Sequence, residues 1–140
     1  MNKSVLVIAG IIALSGCTSA SLIRGGSGDG KTTPGSRADI IRSMNGGLVG
    51  GSVGAALSSA EKTKALEAEY RALEYMPSGQ KVSWTGDGSG RGGEVVAAQP
   101  YRVGSQDCRQ YTHKVTAGGR SAEARGTACR NSDGSWTPLT

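Results

Sequence analysis

Few side chains in this 140-residue chain are equipped for chemistry: three cysteines, Cys17, Cys108 and Cys129, and one histidine, His113. A thiol can be alkylated, paired, oxidised or bound to a metal, and its surroundings decide which. An odd count leaves at least one thiol without an intramolecular partner. A two-cysteine zinc site needs further ligands, and His113 is the only histidine on offer. No metal and no cofactor is expected. Gly25, Gly30, Lys31 and Thr32 fit the spacing of a phosphate-binding loop. Such a loop follows an apolar strand and opens a helix, whereas this one has polar flanks and runs into Pro34. There is no Gly-x-Ser-x-Gly, and no carboxylate pair of recognisable spacing. These residues predict a protein that is not an enzyme.

The position of Cys17 sets it apart. Asn2 and Lys3 make a short polar start, Val5 to Leu14 form an apolar run broken by Gly10, and Ser15-Gly16 lead into the cysteine. That is the three-part layout of a secretory signal peptide. The run is too short for a membrane-spanning helix, which takes ~20 apolar residues. Leu14-Ser15-Gly16-Cys17 resembles the lipobox of bacterial lipoproteins. The resemblance implies that Cys17 receives a diacylglycerol and that residues 1–16 are cut away. The new amino group is then acylated, typically with palmitate, so the membrane becomes a partner through lipid. Several acyl chains anchor stably, at ~0.8 kcal/mol per buried CH₂. With Cys17 assigned to lipid, Cys108 and Cys129 remain as a pair in an oxidising compartment.

A hairpin brings that pair together on paper. With Gly118-Gly119 as a two-residue primed turn, Ala117 faces Arg120. Counting outward along both strands puts Cys108 directly opposite Cys129, at a non-hydrogen-bonded pair. Cα atoms there lie ~4.5 Å apart, within reach of a disulfide. The same register sets Lys114 against Glu123, a favourable cross-strand pair. It sets Tyr111 against Gly126, which the ring can cover. Tyr111, His113, Val115, Ala122, Ala124 and Ala128 share the face expected to meet the core, and the cysteines fall on the polar face.

The elements upstream must position this hairpin. Residues 17–37 are rich in Gly, Ser and Thr and read as a lipidated flexible tether. Residues 38–57 contain two rows of small residues: Gly46, Gly50 and Gly54, and beside them Gly47, Gly51 and Ala55. On a helix such rows let two backbones approach closely. Each glycine costs ~1 kcal/mol against alanine in water, so packing must repay it. A glycine-zipper helix is expected, membrane-inserted or self-associating. It is too short for a full span, because ~14 residues cover ~21 Å of a ~30 Å hydrocarbon core. Residues 58–76 read as an amphipathic helix. Ser58 and Glu61 form a capping box, Leu66, Tyr70 and Leu73 lie on one face, Glu67 and Arg71 are placed to pair, and Pro77-Ser78-Gly79 ends the helix. Residues 79–140 show short alternating strands between glycine turns. The fold class is α+β, with a small antiparallel β domain closed by one disulfide.

Composition limits the partners. Gly numbers 23, Phe is absent and only two Trp and four Tyr occur, so the core is small. The net charge of +5 is spread, without a like-charged block. That favours anionic lipid or an anionic envelope polysaccharide. It lacks the clustered basic face of a nucleic-acid binder.

Cys108-Arg109-Gln110-Tyr111-Thr112, Gly118-Gly119, Gly126-Thr127-Ala128-Cys129 and Gly134-Ser135-Trp136 resemble the rickettsial seventeen-kilodalton surface antigen family. Ala72-Leu73-Glu74, Pro77-Ser78-Gly79-Gln80, Ser83-Trp84 and the glycine rows are similar as well. The resemblance implies an outer-membrane lipoprotein of structural or interaction role without enzymatic activity. Thr18, rather than Asp, follows Cys17, which by the enterobacterial sorting rule also implies the outer membrane. The tether here is longer than the family's, and Arg91-Gly92-Gly93 is an added turn. An alternative function is a periplasmic or surface binding module, such as a hydrolase inhibitor. Its contact loop would be Asp87-Gly88-Ser89-Gly90-Arg91.

Overall fold

The computed structural model describes residues 37–139. Cys17, residues 1–16, most of the tether and the phosphate-loop-like spacing lie outside the described residues. Two helices, α1 (Arg37–Ser43) and α2 (Ser59–Glu74), precede six strands. The strands are β1 (Lys81–Thr85), β2 (Gly92–Ala97), β3 (Tyr101–Val103), β4 (Gln106–Ala117), β5 (Arg120–Arg130) and β6 (Trp136–Leu139). The helices and strands together are α and β, but the sheet dominates.

The long β4–β5 hairpin sets the frame. Gly118 and Gly119 have φ values of 59° and 74°, as a primed turn requires. Ala117 pairs with Arg120, Lys114 with Glu123, Tyr111 with Gly126 and Cys108 with Cys129, the register expected from the sequence. The two cysteines form a disulfide, their Cα atoms 4.0 Å apart. Around the hairpin the antiparallel order is β1-β2-β4-β5-β6, with β3 pairing the start of β4. Pro138 sits in β6, an edge strand, where a missing N–H is tolerated.

One face of the sheet meets the core. Val82, Val95, Tyr111, His113, Val115 and Ala128 are buried there, while Ala124 is half-buried and Ala122 exposed. The cysteines correct the expectation of a polar setting. Both point to the opposite face, yet both are buried. Pairing places Tyr101, Cys108, Cys129 and Thr137 in one row across four strands, so neighbours flank the disulfide on both sides.

Helix α2 covers β1 and β2. Ser58 accepts from the Glu61 N–H and Glu61 accepts from the Ser58 N–H, the reciprocal box expected. Leu66 and Leu73 are buried and Tyr70 is half-buried. Small Ala65, Ala68 and Ala72 bring the helix axis close to the sheet.

Residues 44–57 differ from the expected zipper helix. They form turns and two short 3₁₀ segments, Leu48–Gly50 and Ser52–Gly54, so Gly46, Gly50 and Gly54 make no continuous stripe, nor do Gly47, Gly51 and Ala55. Gly46 and Gly47 take φ of 84° and 54°, a conformation that ends the helix begun in α1. The segment instead straps across the sheet. Met44, Val49, Val53 and Leu57 are buried in the domain's own core. Burial at ~1.5–3 kcal/mol per side chain outweighs the glycine cost.

The glycines have unequal duties. A Cβ on Gly47 would collide with the Glu69 carboxylate and Leu66, and one on Gly54 with the Val49 carbonyl. A Cβ on Gly50 would meet only the Asn45 carbonyl, at 3.9 Å, an ordinary contact. Gly47→Ala and Gly54→Ala should each lower stability by about 2 kcal/mol, the range of overpacking. Gly50→Ala should be within ~0.5 kcal/mol of the parent. Urea unfolding of the three variants checks this; equal effects across them would restore the zipper.

Candidate functional site

Inside the core, a chain of polar groups joins helix, sheet and strap. Glu69 and His113 are fully buried. Trp84 Nε1 donates to His113 Nε2 at 2.8 Å, and His113 Nδ1 lies 2.7 Å from Glu69 Oε1. An indole N–H can only donate, so His113 Nε2 is the acceptor and Nδ1 carries the proton toward Glu69. The carboxylate also accepts from the main-chain N–H of Leu48 at 3.1 Å and of Val49 at 3.3 Å. Gly93, opposite Trp84, leaves room for the indole. A carboxylate beside a histidine resembles half of a catalytic triad. Here the lone pair that a base would use is held by Trp84, and neither partner reaches solvent. The group instead fixes the strap onto α2 and β4. Tyr111 lies at its edge: burial first, then the Glu69 charge, pushes the phenol well above its usual range. Its hydroxyl has no hydrogen-bond partner among the described residues.

Arg109 closes the other end of α2. Its Nη1 donates to the carbonyls of Ala72 (3.1 Å), Leu73 (2.7 Å) and Met76 (3.0 Å), and its Nε to that of Ala98 (2.8 Å). These satisfy orphan carbonyls at the negative end of the helix dipole. Burial lowers the Arg109 pKa.

Two ion pairs flank the helix. Arg91 holds Glu61 through Nε and Nη2, both at 2.7 Å, and Arg130 holds Glu74 through Nε and Nη2, both at 2.8 Å. Trp136 Nε1 also donates to Glu74 at 2.8 Å. The Arg91 hydrogen bonds, then the Ser58 N–H, hold Glu61 well below its ordinary 4.5, and Arg130 holds Glu74 below its own. Groups whose folded pKa is depressed stabilise the fold above the unfolded pKa and lose that contribution as pH falls toward the folded value. The urea midpoint should therefore be flat from about pH 7 to 5 and decline below about 4.5. Glu61→Gln should flatten part of that decline; an unchanged profile would mean that other groups govern acid unfolding.

The loop 87–91, placed above as an inhibitor's contact loop, is committed to the fold at both ends. Asp87 pairs with Lys64 at 2.6 Å, and Arg91 is held by Glu61 and the Ala56 carbonyl. Gly88, Ser89 and Gly90 stay exposed between those ends, and a second open surface is the sheet's other face. Ser83, Glu94, Lys114 and Glu123 form one row there, and Lys81, Val96, Thr112 and Arg125 the next. Among the described residues no cluster of three metal-ligating side chains occurs, and no helix is long and apolar enough to cross a membrane.

Residues 71–137 match the family of the 17 kDa outer membrane surface antigen. The 17 kDa surface antigen of Rickettsia bellii is 39% identical over 85 residues, which cover 60% of this chain and 54% of that protein. Those of Rickettsia conorii and Rickettsia prowazekii are 45% and 42% identical over 67 residues, 47% of this chain and 42% of theirs. Through residues 71–137, the chain is similar to the 17 kDa surface antigen family. It spans about half the length of these relatives. No solved structure matches it.

The 17 kDa antigen region holds the disulfide, Arg109, His113 and both tryptophans, whereas Glu69 and the strap lie N-terminal to it. The sequence placed His113 on the core face but not its partners. Glu69, and the burial and Arg91 pairing of the capping-box Glu61, were missed because a glutamate on an amphipathic helix is ordinarily assigned to solvent. The available signal was spacing: both lie at four-residue steps from Ala65, on the buried stripe.

Proposed function

We propose that the chain is an outer-membrane lipoprotein of surface antigen type with a structural or interaction role in the cell envelope, and not an enzyme. It is held by lipid on Cys17, and residues 18–36 space the folded domain from the bilayer. The observation that carries this reading is the match of residues 71–137 to an outer membrane surface antigen family. Relatives named as surface antigens and the lipobox-like Leu14-Ser15-Gly16-Cys17 support it. In this reading the membrane is the first partner, and the open, mixed-charge sheet face is what the anchor presents to the envelope.

Cys17→Ser tests the anchor. Radiolabelled palmitate should enter the parent chain and not the variant. The variant should accumulate with residues 1–16 uncleaved and leave the outer-membrane fraction. Equal labelling and equal fractionation of the two would overturn the proposal.

A further inference from the structure

A groove of about 380 Å³ opens between the C-terminal end of α2 and the β3–β4 corner. Its size falls at the lower end of small-ligand sites, ~300–1,000 Å³. Pro100, Tyr101 and Trp136 supply apolar walls, and Arg102, Asp107 and Arg109 polar ones; Glu74 and Arg130 border it. The charges are three arginines against two carboxylates. Arg130 is neutralised by Glu74, and Arg102 by Asp107 at 3.1 Å. Arg109 is not neutralised. It is 5% exposed, and no carboxylate among the described residues pairs with it. Nε and Nη1 are spent on main-chain carbonyls, and Nη2 makes no hydrogen bond within the described domain. A guanidinium with no counter-ion and an uncommitted Nη2 can add a charge-assisted hydrogen bond to an anion.

The geometry points to a binding site for an acidic pyranose of the uronic-acid type, its carboxylate on Arg109 and its ring against Tyr101. The charge balance leaves one positive charge to be met, which suits a carboxylate. A phosphate dianion brings a second negative charge toward Asp107 and Glu74. Those same two carboxylates are acceptors for sugar hydroxyls. Tyr101 is 42% exposed on a three-residue strand, an aromatic surface free to carry a sugar ring. A peptide carboxylate would use Arg109 but leaves both acceptors facing it without hydroxyls.

This goes beyond the anchoring role and does not depend on it, since the groove is remote in sequence from Cys17. It also differs from a general attraction of positive charge to anionic polymer, which would survive loss of Tyr101. The test is titration of the full-length chain in detergent micelles with sodium D-glucuronate, followed by amide and indole NMR shifts. Saturable shifts at Tyr101, Arg102 and the Trp136 indole are expected. D-glucose and the glucuronate methyl ester should bind at least tenfold more weakly, and Tyr101→Ala should raise Kd at least tenfold. Arg109→Gln should do the same, but it also uncaps α2, so the exposed Tyr101 is the deciding variant. No glucuronate binding, equal binding of glucose, tighter binding of inorganic phosphate or of a triglutamate peptide, or an unchanged Kd in Tyr101→Ala would each overturn the proposal.

Discussion

Replacing Glu69 with leucine is expected to lower the unfolding free energy by about 4 kcal/mol, although leucine is the more apolar residue. Three donors lose their acceptor at once: the buried His113 Nδ1–H and Val49 N–H, and the part-buried Leu48 N–H. An unsatisfied buried donor costs ~1–3 kcal/mol, and three together exceed what leucine gains from burial. A domain of this size has only ~5–15 kcal/mol in total. The loss has an address as well as a size. The amides of Leu48 and Val49 should lose hydrogen-exchange protection, while those of β4 and β5 keep more of theirs. Gly47 abuts the same carboxylate, so Gly47→Ala should cost less in the Glu69→Leu background than in the parent. A change below 1 kcal/mol, with the strap amides still protected, would mean that the buried group does not hold the strap.

The second large effect belongs to the disulfide. Cys108→Ala with Cys129→Ala should cost about 3 kcal/mol, the chain-entropy value for a loop of ~20 residues. The bond closes the β4–β5 hairpin at the end far from its glycine turn, so it limits the unfolded ensemble to chains already near register. Both sulfur-bearing residues are buried. Native protein should therefore resist dithiothreitol until urea opens the hairpin, and thiol titration should then count the pair. An unchanged urea midpoint in the double variant would show that the sheet supplies the register without the covalent link.

How much of this was legible in the sequence depends on how local each determinant is. The hairpin register was legible in full, because two glycines with positive φ set the turn and a strand has period two. Ser58 and Glu61 revealed the start of α2 because a capping box is satisfied within four residues. Residues 44–57 misled because spacing alone does not choose between a helix stripe and a set of turns. Glycine supports both, and the choice was made by where Met44, Val49, Val53 and Leu57 could be buried. The glutamates of α2 were hidden for a similar reason. Their partners are Arg91 and His113, distant in sequence, so no local pattern marks them as internal. Arg109 stood among the residues resembling the antigen family, yet its work as a cap on α2 is a tertiary contact.

We propose that a disulfide-closed domain hangs from a lipidated Cys17. Intact-mass and N-terminal peptide mass spectrometry of the chain recovered from the outer membrane should find a chain beginning at Cys17 that carries a thioether-linked diacylglycerol and an amide-linked acyl group, with Cys108 and Cys129 oxidised to each other. An unmodified Cys17, or a chain that begins at any other residue, would contradict it.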